Sequence, residues 1–190
     1  AFITPNSPRT FFYDLFTGGL VEVFGLETGY ILIKAVSILL VSYGIYRIFK
    51  ALELNLSQQI LVISIFVLNQ DLIGGNEVIG IFEEDRFAVS FSLIALSNWI
   101  EKDFKKYSIH TLLSIFTHIQ IGLFWFAFVS FYELFNKNRE YIKTFRLIIL
   151  YSLPVVLPTA FEFLFGQDEI VYAFNKPSSW VYAFIFQAFH

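Results

Sequence analysis

Arg86 offers the most chemistry in this sequence. It follows Glu83, Glu84 and Asp85 and opens the apolar run FAVSFSLIAL. A guanidinium is planar, permanently charged and able to grip a phosphate through two parallel N–H···O bonds. Ser90 falls one helical turn deeper on the same face and adds a hydroxyl. The plainer role for such an arginine is to snorkel to an interface or pair with Glu83 or Asp85. His118 comes second. It is ionisable, it sits inside the apolar stretch Tyr107–Phe135, and Ser114 and His110 share its face at i−4 and i−8. An ionisable side chain within a membrane-crossing segment is a functional candidate by default, whereas a lone histidine among apolar residues is more often a hydrogen-bonded core residue. Glu27, in FGLETGY, stands just before the first long apolar segment. A carboxylate there is favoured by the helix dipole, and Thr28 offers a cap, so Glu27 by itself marks a helix start.

Other chemistry is thin. The three histidines and scattered carboxylates form no HExxH or comparable metal spacing, and no Walker loop, GxSxG or Gly-rich dinucleotide fingerprint occurs. Without cysteine there is no disulfide, thiolate ligand or cysteine nucleophile. Ile73–Glu77 (IGGNE) reads as a turn rather than a phosphate cradle. Trp125, Tyr172, Trp180 and Tyr182 fit interfaces and helix packing better than a sugar platform. A net charge of −3 gives no reason to expect nucleic acid.

The elements that must position these residues are apolar helices. The chain is 56% hydrophobic, 20% aromatic and 15% charged, with mean hydropathy +0.64. A soluble domain carries about 25% charged residues. The expected fold is therefore all-α, a polytopic transmembrane helical bundle with short or re-entrant segments. A span needs about 20 apolar residues. Tyr30–Phe49 meets this, with Lys34 one turn inside, and so does Phe145–Phe165, with Pro154 and Pro158 as expected kinks. Gln59–Leu68 is apolar but short, and Arg86–Ile100 resumes the pattern after a polar, glycine-containing stretch. Tyr107–Phe135 is too long for one untilted crossing and too short for two. His118, Gln120 and Gly122 interrupt it, so a broken or re-entrant pair of half-helices is predicted, tolerated where protein or water covers the break. Ser178–His190 begins a further span. The N-terminal AFITPNSPRT lacks the basic and apolar regions of a signal peptide. With no Met at position 1 and an apolar run still open at His190, residues 1–190 read as a single transmembrane domain, a fragment of a larger membrane protein.

Loop charge gives orientation. Arg47 and Lys50 lie in one loop, Lys102, Lys105 and Lys106 in a second, and Lys137, Arg139, Lys143 and Arg146 in a third. These hold nine of the thirteen basic residues and are expected on the cytoplasmic side. Asp71, Glu77, Glu83, Glu84 and Asp85 crowd an opposite loop, joined by Glu22, Glu27, Asp168 and Glu169. For the second and third basic loops to share a face, Tyr107–Phe135 must enter and return. The alternative is one tilted span with a basic outer loop.

The succession PNSPRTFFYDLF, LETGYILIKAVSILL, RFAVSFSLIALSNW, a basic turn and LLSIFTHIQIGLFWF resembles the EpsG family, the Wzy-type polymerases of bacterial O-antigens, capsules and exopolysaccharides. The resemblance covers most of residues 4–125 and is carried by the order and spacing of short motifs. Family members tend to show a Pro-containing stretch with Asp-Thr and a following Tyr. They also show a Glu-Pro-Gly element opening a span, an Arg-Gln-x-x-Ala element opening a later one, and a His-x-Ser element about thirty residues on. Here Arg9 stands in place of that Asp, Thr28 in place of the Pro, Phe87 in place of the Gln, and Gln120 in place of the Ser. The family's N-terminal spans and their Arg/Asp motif are absent.

The resemblance implies a membrane glycosyltransferase of the bacterial inner membrane, with its active face periplasmic. It would join oligosaccharide repeat units linked to undecaprenyl diphosphate. The donor diphosphate leaves as the glycosidic bond forms, which asks for a cationic clamp and for removal of the acceptor hydroxyl proton. Arg86 is the expected clamp. His118 is expected to hold the diphosphate or take the proton, Glu27 to bind the acceptor or act as base, and Tyr30 to bind sugar or phosphate. No metal or cofactor is required if the arginine neutralises the leaving group. The bilayer, a chain-length regulator and other polysaccharide-assembly proteins are the further expected partners. Two other classes stay open: a transporter or flippase of lipid-linked saccharide, and a structural subunit of a membrane complex.

Overall fold

A computed structural model describes residues 11–68, 84–136 and 139–165. The Pro-containing stretch before Phe11, most of the acidic stretch Asp71–Asp85, Lys137, the acids Asp168 and Glu169, and the last apolar run Ser178–His190 lie outside them. The described residues are all-α, in seven helices: α1 Phe11–Phe24, α2 Leu26–Ala51, α3 Leu56–Leu68, α4 Glu84–Ile100, α5 Phe104–Thr117, α6 Ile119–Phe135 and α7 Arg139–Phe165. Leu26–Ala51 and Glu140–Ala160 are long and apolar enough to cross a membrane. Both start earlier than the apolar runs alone suggest, because polar first turns such as Leu26–Gly29 and Arg139–Lys143 are helical too. Pro154 and Pro158 lie inside α7.

α1 departs from the sequence reading, which assigned no helix there. Gly18 and Gly19 sit in its middle, and each glycine costs about 1 kcal/mol relative to alanine in a helix. Packing offsets that cost. Tyr13, Leu20 and Val21 join Ile33 of α2 and Phe87 of α4 in one apolar cluster. The chain turns at Gly25, and Val21 comes to rest against Gly29.

Local signals end and start the shorter helices. α4 closes with Asp103 N–H donating to the Asn98 carbonyl at 2.8 Å and Lys102 N–H to that of Trp99 at 3.0 Å, with Lys102 at φ 62. This is the left-handed cap that glycine usually supplies. Asp103 then caps α5 by accepting from Lys106 N–H at 3.1 Å. Asn55 and Gln58 bond each other's backbone N–H at 3.0 and 2.9 Å, a reciprocal box that opens α3.

The predicted interruption of Tyr107–Phe135 falls at His118. Its backbone is extended (φ −150, ψ 107), and it closes α5 and opens α6. The two helices fold back on each other so tightly that a Cβ at Gly122 would lie 2.4 Å from Ile115 N. Only hydrogen fits there.

Contacts fix the directions. Gly44 packs on Leu93 and the Ser90 carbonyl, while Arg47 reaches Asn98 and Glu101, so α2 and α4 run parallel. Ser114 touches Ala88 and Ser92, while His110 touches Asn98, so α5 runs antiparallel to α4. α6 returns beside them, since Glu133 near its end meets Trp99 and Lys102. The second and third basic loops therefore share one end of the bundle, as the enter-and-return reading requires. The starts of α2 and α4 and the His118 break lie at the other. The larger core joins α4, α5, α6 and α7 around Tyr107, Ile115, Phe126, Val129, Tyr141 and Ile148.

Candidate functional site

Arg86 lies in the first turn of α4 and is 3% exposed. A cation at the start of a helix opposes the dipole, and a guanidinium does not lose its charge by burial. Its place in this fold therefore calls for anions nearby. Glu83, Glu84 and Asp85 stand directly before it in sequence. α4 opens with Glu84 and Asp85, and acids in a first helical turn are favoured by the same dipole.

Ser90 is fully buried one turn on. Its hydroxyl donates to the Arg86 carbonyl at 2.5 Å, so its proton is directed to the helix backbone. Two residues further, Ser92 enters the contact with α5. Ser114 Oγ donates to the Ala88 carbonyl at 2.9 Å, and the 2.8 Å contact between Ser92 and Ser114 then has Ser92 as donor, because a hydroxyl has one proton.

His118 is 2% exposed. Ile121 N–H points at its Nδ1 over a long 3.5 Å. Nδ1 is the acceptor in that contact. The Ala88–Ser114 contact sets the register between α4 and α5. Arg86 is two residues outward from Ala88, and His118 four residues outward from Ser114. At 1.5 Å per residue the two differ in level by roughly 3 Å along the helix axes. Arg86 and His118 are thus buried at the same level, at the end away from the lysines.

Glu27 and Tyr30 reach the same end but not the same face. The side of α2 that packs inward carries Gly29, Ile33, Ser37 and Val41. Glu27 is exposed, and Tyr30 is 46% exposed. The structure buries Arg86, Ser90 and His118 in the interior and leaves Glu27 and Tyr30 exposed.

A second polar group, at the lysine-bearing end, was not anticipated. Glu133 is 2% exposed in α6. It accepts from Trp99 Nε1 at 2.6 Å and lies 3.8 Å from Lys102 Nζ. Beside it, Arg47 Nη2 donates to Asn98 Oδ1 at 2.9 Å and to Glu101 Oε2 at 2.7 Å, tying α2 to α4. Asn98 Nδ2 lies 3.1 Å from His110 Nδ1. The signal for Glu133 was present in sequence: a carboxylate inside an apolar run, subject to the argument applied to His118. Among the described residues no group of three or more His, Asp or Glu side chains is placed to hold a metal ion.

Comparison with protein-family models, curated proteins and solved structures returns no match. The functional reading therefore rests on the residues themselves.

Proposed function

We propose that this chain is a multi-pass membrane protein that binds an anionic, diphosphate-bearing lipid at the Arg86 end and transfers its saccharide. It is then a polymerase of lipid-linked repeat units, acting at the outer face of the bacterial inner membrane. The observation that carries the reading is the joint burial of Arg86 and His118 at one level, at the end opposite Lys50, Lys102, Lys105, Lys106, Lys143 and Arg146. If the lysine-bearing end is cytoplasmic, the Arg86 end faces the periplasm. Two helices of spanning length and a surface rich in exposed Leu, Ile and Phe support the bilayer setting. The sequence resemblance supports the substrate class.

In this reading Arg86 neutralises charge that grows on the diphosphate as the glycosidic bond forms. His118 is the ionisable side chain buried at that level that holds the diphosphate or takes the acceptor hydroxyl proton. Exposed Glu27 and Tyr30 form the rim that a polar acceptor saccharide meets first.

Complementation tests the proposal. Expressed from its complete gene in a strain lacking its repeat-unit polymerase, the wild-type protein should restore long glycans. Arg86→Ala should leave single repeats at an unchanged protein level, and Arg86→Lys should restore chains partially. Long chains from the Ala variant would rule out the clamp.

A further inference from the structure

The interior face of α5 carries Tyr107, Thr111, Ser114 and His118, at intervals of four, three and four residues. These four are 1%, 3%, 1% and 2% exposed. That spacing places the first three in one line along α5, and His118, the residue that ends the helix, stands about 17 Å from Tyr107 at 1.5 Å per residue. A buried face of this kind is ordinarily apolar. Here every member has a proton to give and a lone pair to receive one.

The line continues through partners. Ser92 of α4 bonds Ser114 at 2.8 Å. A cavity of about the size of one water lies between Ser92, Thr111 and Tyr107, with Ala95 and Val129 among its apolar walls. Ser92, Thr111 and Tyr107 are the hydroxyl-bearing residues of its otherwise apolar lining. Beyond the cavity, the Tyr107 hydroxyl lies 3.4 Å from that of Tyr141, and Tyr141 lies 2.7 Å from Ser130 Oγ. One turn further along α6 is the buried Glu133, beside the largely exposed Lys102. Buried hydroxyls thus lie along the bundle between two titratable residues, His118 and Glu133, at its opposite ends.

We propose that this file of hydroxyls is a proton path, joining His118 to Glu133 through one water held among Ser92, Thr111 and Tyr107. The transported species is the proton itself. His118 takes a proton on one ring nitrogen and passes the proton on the other to the file. Each hydroxyl gives its proton forward and receives one from behind, and Glu133 accepts the last and releases it beside Lys102. One proton enters and one leaves, no electron moves, and the hydroxyls reset by rotation. The proposal rests on the membrane-spanning part of the reading above and is independent of the polymerase part.

The test uses the full chain in phosphatidylethanolamine/phosphatidylglycerol vesicles containing a pH-sensitive dye. A potassium diffusion potential set by valinomycin drives protons inward. Wild-type vesicles should acidify faster than protein-free vesicles, and more slowly in D2O than in H2O. Tyr107→Phe should lower the rate to the protein-free level while leaving carbonate-resistant insertion unchanged. Should that variant misfold, Tyr141→Phe is read in the same way. Wild-type flux no greater than the protein-free rate, or an unchanged rate in a folded Phe variant, overturns the proton path alone. Stripping of the wild-type chain from the vesicles by carbonate overturns the spanning reading and the path together.

Discussion

The Trp99 indole donates to the Glu133 carboxylate at 2.6 Å, joining the end of α4 to the end of α6 across an otherwise aromatic contact. Tyr132 packs edge-on against Trp99 at 5.4 Å, and Lys102 stands 6.0 Å over the same ring. Glu133→Ala leaves the indole N–H buried without its acceptor, which costs about 1–3 kcal/mol. Lys102 is mostly exposed, so loss of its partner adds little. Glu133→Gln keeps an acceptor and should lose less than half as much. Thermal unfolding in micelles, followed by tryptophan emission, checks the order. Equal losses in the two variants would mean that the acceptor does not matter.

Gly122 and Gly19 give opposite expectations for the same substitution. A Cβ at Gly122 meets Ile115 N at 2.4 Å and its Cα at 2.5 Å, and backbone cannot step aside as a side-chain tip can. Gly122→Ala should open the α5–α6 hairpin at a cost of about 1–3 kcal/mol or more. A Cβ at Gly19 meets nothing within 4 Å, and its backbone is helical. Gly19→Ala should therefore stabilise the protein by up to about 1 kcal/mol. Melting temperatures of the two variants should lie on opposite sides of wild type.

The fold was legible where apolar length decides it. Tyr107–Phe135 does not fit whole crossings, and the interruption falls at His118, one of the three residues that marked it. Arg86 and His118 stood out as ionisable groups bordering or interrupting apolar runs, and both are buried. What escaped has physical reasons. α1 is held by tertiary contacts of Tyr13 and Val21, which override the Gly18–Gly19 penalty and leave no local trace. Glu133 lies two residues from the end of its apolar run, where a carboxylate resembles an ordinary interfacial charge until the fold turns it inward. For Glu27 and Tyr30, periodicity gives their angle relative to Gly29 but not which side of α2 meets α4. The Tyr107–Thr111–Ser114 line went unread because hydropathy counts Ser, Thr and Tyr as nearly neutral wherever they fall.

Asp103 gives the connection between α4 and α5 a pH dependence. The Lys106 side chain, 2.7 Å from its carboxylate, and then the Lys106 backbone N–H hold its carboxyl below the ordinary value. A folded-state pKa below the unfolded one means stability that is present above the unfolded pKa, near 3.9 for aspartate. It is lost as pH falls through the lower folded value. Protection of the amides at the start of α5, taken relative to the intrinsic exchange rate at each pH, should therefore fall below about pH 4. Asp103→Asn keeps a capping oxygen but cannot titrate, so its protection should depend less on pH over that range. Identical pH profiles for wild type and Asn would assign the effect to other carboxylates.

Arg47 supplies the last test, because it joins α2 to the end of α4 through charged hydrogen bonds. Its Nη2 bonds Asn98 Oδ1 at 2.9 Å and Glu101 Oε2 at 2.7 Å, and its side chain is 19% exposed. Close packing elsewhere along the pair, at Gly44 against Leu93, contributes contact without direction. The arginine therefore sets the register. Lysine's ammonium has three N–H groups, but on a side chain of shorter reach without the planar guanidinium, so it does not hold both acceptors in the same geometry. Hydrogen bonds to charged groups are worth about 1.5–3 kcal/mol, and part of that is screened at Glu101, which is exposed. Arg47→Lys should lose about 1 kcal/mol, and Arg47→Ala about 2 kcal/mol, the latter also stranding the Asn98 carbonyl oxygen. A double-mutant cycle with Asn98→Ala isolates the buried bond. Coupling near zero would show that the Asn98 bond adds nothing to the packing of α2 on α4.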